Sequence, residues 1–481
     1  MYYINRNGGI KGALKKISYG TNNTLSYTYD AVGRIKAELK NGVLNREYEY
    51  DSMGQLTAEY LYDPAIIALY TDDTTVDRIK LYYIYNINGN LEEQGCNKEW
   101  LDESGNATTA NLSLNTYGYH TSEGNWLSPL MYDGNEEIAY DSMGNPLNYF
   151  GKNFTWENGR ELASITSSSG ASIASYEYDA SGLRISKTTT AGGNVYYVYD
   201  ENSNLIFEKH PDYTLAFYYD GNGTRTHFTK KSSTGYETYY YSYNLQGDII
   251  ALLNNAGTVV AEYNYTAYGK PIGAVTEIGN LNPFRYRGYY YDDETGFYYL
   301  QSRYYDPTNA RFINADAADY IGATGTPLSF NLFLYCENDP VNNTDPSGNF
   351  WVRAASAVAG AALFGTIAYL ISSLFNLPRD LKLGVTATFA VIGGVLGGIF
   401  GPTIIAKALP KLTKWLKEIK RTTKIIKPKG ENLGGIVIMN KVRIMLHLPH
   451  LKNPRNPHKY LHLQIEFLGF KWRIRLGRNV I

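Results

Sequence analysis

Two cysteines, Cys96 and Cys336, are all that this 481-residue chain contains. They exclude a disulfide framework and a cysteine-rich metal site, and they say nothing about redox compartment. Charged residues are sparse at 19%; set against 14% aromatics, this excludes a disordered tail and a coiled coil. A phosphate-binding glycine loop, a Ser/His/Asp constellation in recognisable context and an adhesive signature are all missing. The N-terminal MYYINRNGGIKG has no apolar stretch followed by a small-residue cleavage site. The expectation is therefore export by a route other than a Sec signal, or a place within a longer chain. Tyrosine and glycine are abundant, at 46 each. The length exceeds one ordinary domain and falls short of more than three or four.

The net charge of −1 conceals a split. Residues 1–350 hold 24 Lys+Arg against 42 Asp+Glu, a balance of −18, and residues 351–481 hold 21 against 4, a balance of +17. Tyrosine divides at the same place, with 44 of 46 before position 351. Two compositions this different imply two jobs.

The first part repeats itself. YTYDAVGRI at 27–35 recurs as YEYDSMGQL at 48–56, YEYDASGLR at 176–184 and YVYDENSNL at 197–205. Degenerate copies stand at 83–91, 139–147, 218–223 and 241–249. Asp30 and Asp51 lie 21 apart, as do Asp179 and Asp200, and Asp220 follows 20 later. Alternating aromatics followed by Asp-x-x-Gly predict strand, tight turn, strand. A period of about twenty residues predicts stacked copies of one such unit. The tyrosines are expected to stack into a core.

At 282–316 the pattern tightens to NPFRYRGYYYDDETGFYYLQSRYYDPTNARFINAD, followed at 331–348 by NLFLYCENDPVNNTDPSG. This stretch resembles the core of RHS/YD-repeat proteins, a polymorphic toxin family whose relatives include the teneurin shell and the C component of insecticidal toxin complexes. The resemblance covers about three quarters of the chain. It implies a mainly β fold, with a hairpin strip wound into a hollow shell around a C-terminal cargo that is usually a toxin, and a cognate immunity protein in the producing cell. The expected domains are a YD-repeat shell at 1–280, a core plug at 281–350, a hydrophobic helical hairpin with a basic helix at 351–430, and an effector at 431–481.

The resemblance further implies an aspartyl autoprotease. It places catalytic carboxylates at Asp345, in Pro340-Val-Asn-Asn-Thr-Asp345-Pro346-Ser-Gly348, and at Asp316, with a supporting cation at Arg303 and cleavage between Asn349 and Phe350. Two neighbouring carboxylates do not both ionise easily, so one holds a proton while the other activates water. Asn349 replaces the family's Leu, and Ala317 replaces the Pro after the first Asp. Asp-Pro-Ser-Gly also reads as an uncleaved turn, and both readings stay open.

Residues 354–375 run 22 positions and residues 383–406 run 24 without a charge. Each is long enough to cross a bilayer, which needs about 20 residues. NLPRDLK between them makes an antiparallel pair, expected either to meet a target-cell membrane or to pack as buried cargo. Gly393, Gly397 and Gly401 permit close helix approach. Lys407, Lys411, Lys414 and Lys417 flank the second run. Beyond it, Leu412, Trp415, Leu416 and Ile419 share one face of a basic amphipathic helix.

Four of the seven histidines, His447, His450, His458 and His462, fall in the last 35 residues. VRIMLHL (442–448), YLHLQIEFL (460–468) and FKWRIRL (470–476) alternate, which predicts a small antiparallel sheet. His447, His462, Gln464, Glu466, Lys471, Arg473 and Arg475 lie on its polar face. Metal-free RNA cleavage needs a base, an acid and a cation on phosphate. His447 and His462 supply the first two, with Glu466 nearby and Arg473 or Arg475 as the third. The +17 balance suits RNA or another nucleic acid, and the layout is similar to compact barnase/RelE-type ribonucleases. Four alternatives remain: zinc held by His447, His450, His458 and His462, with no cofactor otherwise expected; histidines without chemistry; a pore-forming, membrane-damaging effector built on the hydrophobic pair; and a cell-surface YD-repeat structural protein with no enzymatic tail.

Overall fold

The computed structural model describes residues 16–353 apart from 21, 120–129, 133–135, 222, 318–320, 323 and 349–351, and then 424–426, 432–438, 442–447, 462–467 and 470–475. The described part is mainly β, as the repeats predict. Ten strands from Lys16–Tyr19 to Glu136–Glu137 form one antiparallel sheet, and twelve from Asn148–Tyr149 to Val259–Glu262 form another. In both, every strand pairs with its sequence neighbour.

Each motif copy closes the same hairpin. Asp30 Oδ1 accepts the amides of Val32 at 3.0 Å and Arg34 at 2.9 Å. Asp51, Asp141 and Asp200 repeat this. Gly33 takes φ +94°, which costs glycine little; in the Asp200 copy Ser203 adopts φ +63° instead. The turn is thus decided within five residues by an Asx side chain competing for backbone amides.

Where a motif copy carries two tyrosines, as at 48–50, 176–178 and 197–199, they do different work. The first, as in Tyr27, Tyr48, Tyr176 and Tyr197, is buried in the core, as expected. The second ties its hairpin to the one before. Tyr50 donates to the Ile35 carbonyl at 2.7 Å, Tyr178 to Leu162 at 3.1 Å, Tyr199 to Arg184 at 2.9 Å, Tyr219 to Leu205 at 2.8 Å and Tyr243 to Arg225 at 2.6 Å. Stacking alone therefore does not explain the tyrosine content: a phenol reaches a carbonyl that a Phe ring leaves unpaired.

The strip also comes back to its start. Tyr27 Oη accepts the Leu245 amide at 3.2 Å, Arg46 donates to the Tyr265 carbonyl at 2.5 Å, and Glu59 accepts the Ala267 amide at 2.6 Å.

Against the strip lies a four-stranded sheet, Tyr290–Asp292, Phe297–Tyr299, Tyr304–Asp306 and Arg311–Phe312. Its anchor is Arg184, which is 1% exposed and meets Asp292 at 2.7 Å, with Lys187 on the same carboxylate at 2.8 Å. The Arg184 guanidinium lies within 4.4 to 5.2 Å of the Tyr176, Tyr197, Tyr290 and Tyr299 ring centres. Charge pairing and ring quadrupoles together offset its desolvation.

A separate five-stranded antiparallel sheet runs in chain order through Lys424–Ile426, Asn432–Ile438, Val442–His447, His462–Phe467 and Phe470–Arg475. The last three strands are those the alternation predicts. The first two depart from expectation: the sequence places residues 424–426 in a helical segment ending at 430 and predicts no strand over Asn432–Ile438. Two adjacent β-branched residues, Ile425 and Ile426, favour the extended backbone, and Ile425 pairs with Ile436. The hydrophobic runs 354–375 and 383–406 lie outside the described residues. Among the described residues, no helix is long and apolar enough to cross a membrane.

Candidate active site

Arg303, Asp316 and Asp345 come together. Arg303 Nη2 lies 2.9 Å from Asp316 Oδ2 and 3.5 Å from Asp345 Oδ2, so both carboxylates address one guanidinium nitrogen. All three side chains are buried. The rest of the guanidinium is fixed: Nη1 donates to the Leu332 carbonyl at 2.9 Å, Nε donates to the Gly348 carbonyl, and the plane stacks 3.5 Å over Phe312.

The carboxylates differ in surroundings. Asp345 Oδ1 accepts the Gly348 amide at 2.8 Å and the Ser347 amide at 3.4 Å. Its own amide donates to Tyr289 Oη at 3.0 Å. Asp316 Oδ1 accepts the Ala317 amide at 2.7 Å. Burial pushes the Asp316 carboxyl up to about 6; Arg303 opposes that rise, and the negative charge of Asp345 adds to it. Burial likewise draws Arg303 below its ordinary value, against the pull of both carboxylates. A buried carboxyl raised to about 6 beside a second buried carboxyl is an arrangement that suits acid and base roles near neutrality.

The turn reading and the site reading describe the same atoms. Asp345 to Gly348 is an Asx-type turn, and it ends at the Gly348 carbonyl that Arg303 Nε holds. Gly348 takes φ +78°, and a Cβ there would meet Ser302 Oγ at 2.8 Å and Leu300 Cβ at 3.1 Å. Ser302 Oγ also donates to the Ser347 carbonyl at 2.7 Å. On the far side, Thr344 pairs with Val352 and Asn343 with Arg353. Asn349 and Phe350 lie outside the described residues.

Sequence reasoning missed three participants. Arg160, on the strip, donates to the Ala315 carbonyl and, at 2.9 Å, to that of Asp316. Tyr289 and Phe312 complete the surroundings. No signal in the sequence marks them, since each serves through a position brought near by the fold.

In the tail sheet, His447 stands opposite His462, and Glu466 lies between Arg443 and Lys471. Arg473 stands opposite Gln464, whereas Arg475 stands opposite His462. His450 and His458, needed by the zinc alternative, lie outside the described residues. Among the described residues, no group of three His, Cys, Asp or Glu is placed to hold a metal.

A tyrosine-tied hairpin strip, closed on itself and carrying a core segment with a buried carboxylate pair, defines a YD-repeat β shell of the RHS type. The chain belongs to the Teneurin YD-shell family, whose model matches residues 59–341. It is similar to the tRNA nuclease WapA of Bacillus subtilis (strain 168), with 32% identity over 285 residues, covering 58% of this chain and 11% of that protein. It is also similar to Teneurin-3 of Mus musculus, with 25% identity covering 69% of this chain and 11% of that one. Among solved structures, a chain in the crystal structure of TcdB2-TccC3-Cdc42 shares the fold. The TM-score is 0.53 at 19% identity, over 68% of this chain and 17% of that chain. This chain thus spans about a tenth of the length of the curated relatives it matches.

Proposed function

We propose that the chain is the shell-and-effector portion of an RHS-repeat polymorphic toxin, secreted or displayed at the cell surface for competition between bacteria. Its core cuts the chain between Asn349 and Phe350. Water adds to the Asn349 carbonyl carbon with one carboxylate as base, and the C–N bond breaks as the other carboxyl gives its proton to the Phe350 nitrogen. Asp316, held near a pKa of 6, is suited to the acid role and Asp345 to the base role. The observation that carries this reading is the convergence of both carboxylates on Arg303 Nη2, beside a turn whose next residue is the cut site. Intact mass spectrometry of the purified chain tests it: the wild type should yield fragments ending at Asn349 and starting at Phe350. Asp345→Asn and Asp316→Asn should remain whole. A wild type that remains whole sinks it.

The basic tail is the effector, a metal-independent ribonuclease using His447 and His462, and a cognate immunity protein protects the producer. Support comes from the opposed histidines, from the +17 balance after residue 350, and from a relative described as a tRNA nuclease. Inducible expression of the full chain, wild type beside His462→Ala, should arrest growth and degrade RNA in the wild type only. Residues 354–375 and 383–406, uncharged throughout, would carry the effector across a target membrane. If His462→Ala still kills and liposomes leak dye, those segments are themselves the toxic part.

A further inference from the structure

The register of the tail sheet sets four informative residues on one row across four strands. Asn432 is opposite His447, His447 opposite His462, and His462 opposite Arg475. Directly opposed residues of antiparallel strands share a face, with Cβ atoms about 4.5–5.5 Å apart. Arg473 belongs to the next row, with Gln464 and Met445. A third row holds Arg443, Glu466 and Lys471. His447 ends its strand and His462 begins the next, so the first row lies at the ends of these two strands.

We infer that the row Asn432–His447–His462–Arg475 is the phosphodiester-cleaving site, that its substrate is RNA with a free 2′-hydroxyl, and that Arg475, not Arg473, holds the reacting phosphate. The inference rests on the ribonuclease reading and narrows it. Cleavage by the 2′-oxygen needs a base and an acid flanking one phosphorus, and a cation on its non-bridging oxygens. Two histidines on neighbouring strands of one row provide that flanking. One takes the 2′-hydroxyl proton as the 2′-oxygen bonds to phosphorus. The bond from phosphorus to the 5′-oxygen then breaks, and the other histidine protonates that oxygen. The products are a 2′,3′-cyclic phosphate and a 5′-hydroxyl, with no metal, water or oxidant consumed.

Arg475 is the cation one strand from His462 on that row, and its planar fork matches a phosphate bidentately. Arg473 is displaced two residues along the strand, about 7 Å, which suits a neighbouring phosphate of the same RNA. Asn432, at the other end, is a positioning residue with a neutral donor and acceptor for a sugar or base edge.

The test uses the purified full chain with EDTA, a fluorescent RNA oligonucleotide and its all-2′-deoxy counterpart. RNA should be cut to cyclic-phosphate ends, and the deoxy strand bound but left whole. Arg475→Ala should lower kcat/KM about 100-fold or more, as for loss of one donor to a developing oxyanion, and Arg475→Lys should recover part. Arg473→Ala should weaken binding less than about tenfold, consistent with one lost phosphate charge. Binding of the deoxy strand by Arg475→Ala separates a lost charge from a lost fold. If the wild type cleaves while Arg475→Ala matches it, or Arg473→Ala is the variant that fails, the row is wrong and the ribonuclease reading survives. Cleavage of the deoxy strand overturns the 2′-hydroxyl requirement. A wild type that cuts neither overturns row and reading together.

Discussion

The strip and the tail sheet are both antiparallel meanders, yet they are held by different means. In the strip, acidic and tyrosine-rich, side chains do much of the joining: an Asx turn closes each hairpin and a tyrosine hydroxyl fastens it to the last. The tail sheet follows residue 350, where the balance is +17 and only two tyrosines remain. Its last three strands are marked in the sequence by alternation. A repeat that carries its own fasteners tolerates substitution between them; a sheet set by alternation is free to devote its polar face to chemistry.

That contrast breaks most sharply if one side chain controls both cleavage and folding. Asp345→Asn should abolish self-cleavage, a loss of about 1000-fold or more on the scale of a removed catalytic group. The shell's thermal unfolding should stay within a few degrees. Mass spectrometry and calorimetry on one sample read both, and a collapse of the melting transition would make Asp345 structural.

The next largest effect belongs to the strip. Arg184→Met leaves buried Asp292 with Lys187 as its remaining cationic partner, at a cost of up to about 3–5 kcal/mol. Adding Asp292→Leu should recover part of it, leaving Lys187 and Glu294 to pair. Urea midpoints measure both; a single variant as stable as wild type would remove Arg184 as the anchor.

Smaller in size is the dependence on pH. The raised Asp316 carboxyl makes the folded chain bind more protons than the unfolded one between about pH 4 and 6. Its contribution to stability is therefore greatest below the unfolded value and declines as pH rises through about 6. If Asp316 is the acid, the cleavage rate falls over the same limb. A rate that rises through that window would exchange the roles of the two carboxylates.

The smallest effects sharpen the repeat itself. Tyr199→Phe, Tyr219→Phe and Tyr243→Phe each remove one hydroxyl-to-carbonyl bond and should each cost about 1 kcal/mol. Equal costs would show that the hairpins are equivalent; one large outlier would mark a hairpin whose fastening also bears on the core.

Much of this was legible beforehand, for identifiable reasons. The hairpins could be placed because Asp and Gly act on neighbours within five residues. The last three tail strands could be placed because the pleat has a period of two. The strand Lys424–Ile426 was missed because three residues give no period, and the preceding Leu412, Trp415 and Ile419 suggested a helix. The core carboxylates were named only through the family resemblance, and Arg160 and Tyr289 not at all.

By itself, then, the sequence determined the turns, the tyrosine rungs, the charge division and the alternation of the tail, because each depends on residues close along the chain. Tertiary structure alone decided which groups meet. Arg303 reaches Asp345 across 42 residues, and Arg160 reaches Asp316 across 156. Arg475 takes its place beside His462 because two strands pair in that register. Such encounters are set by how the strip winds and the strands align, which no local preference encodes.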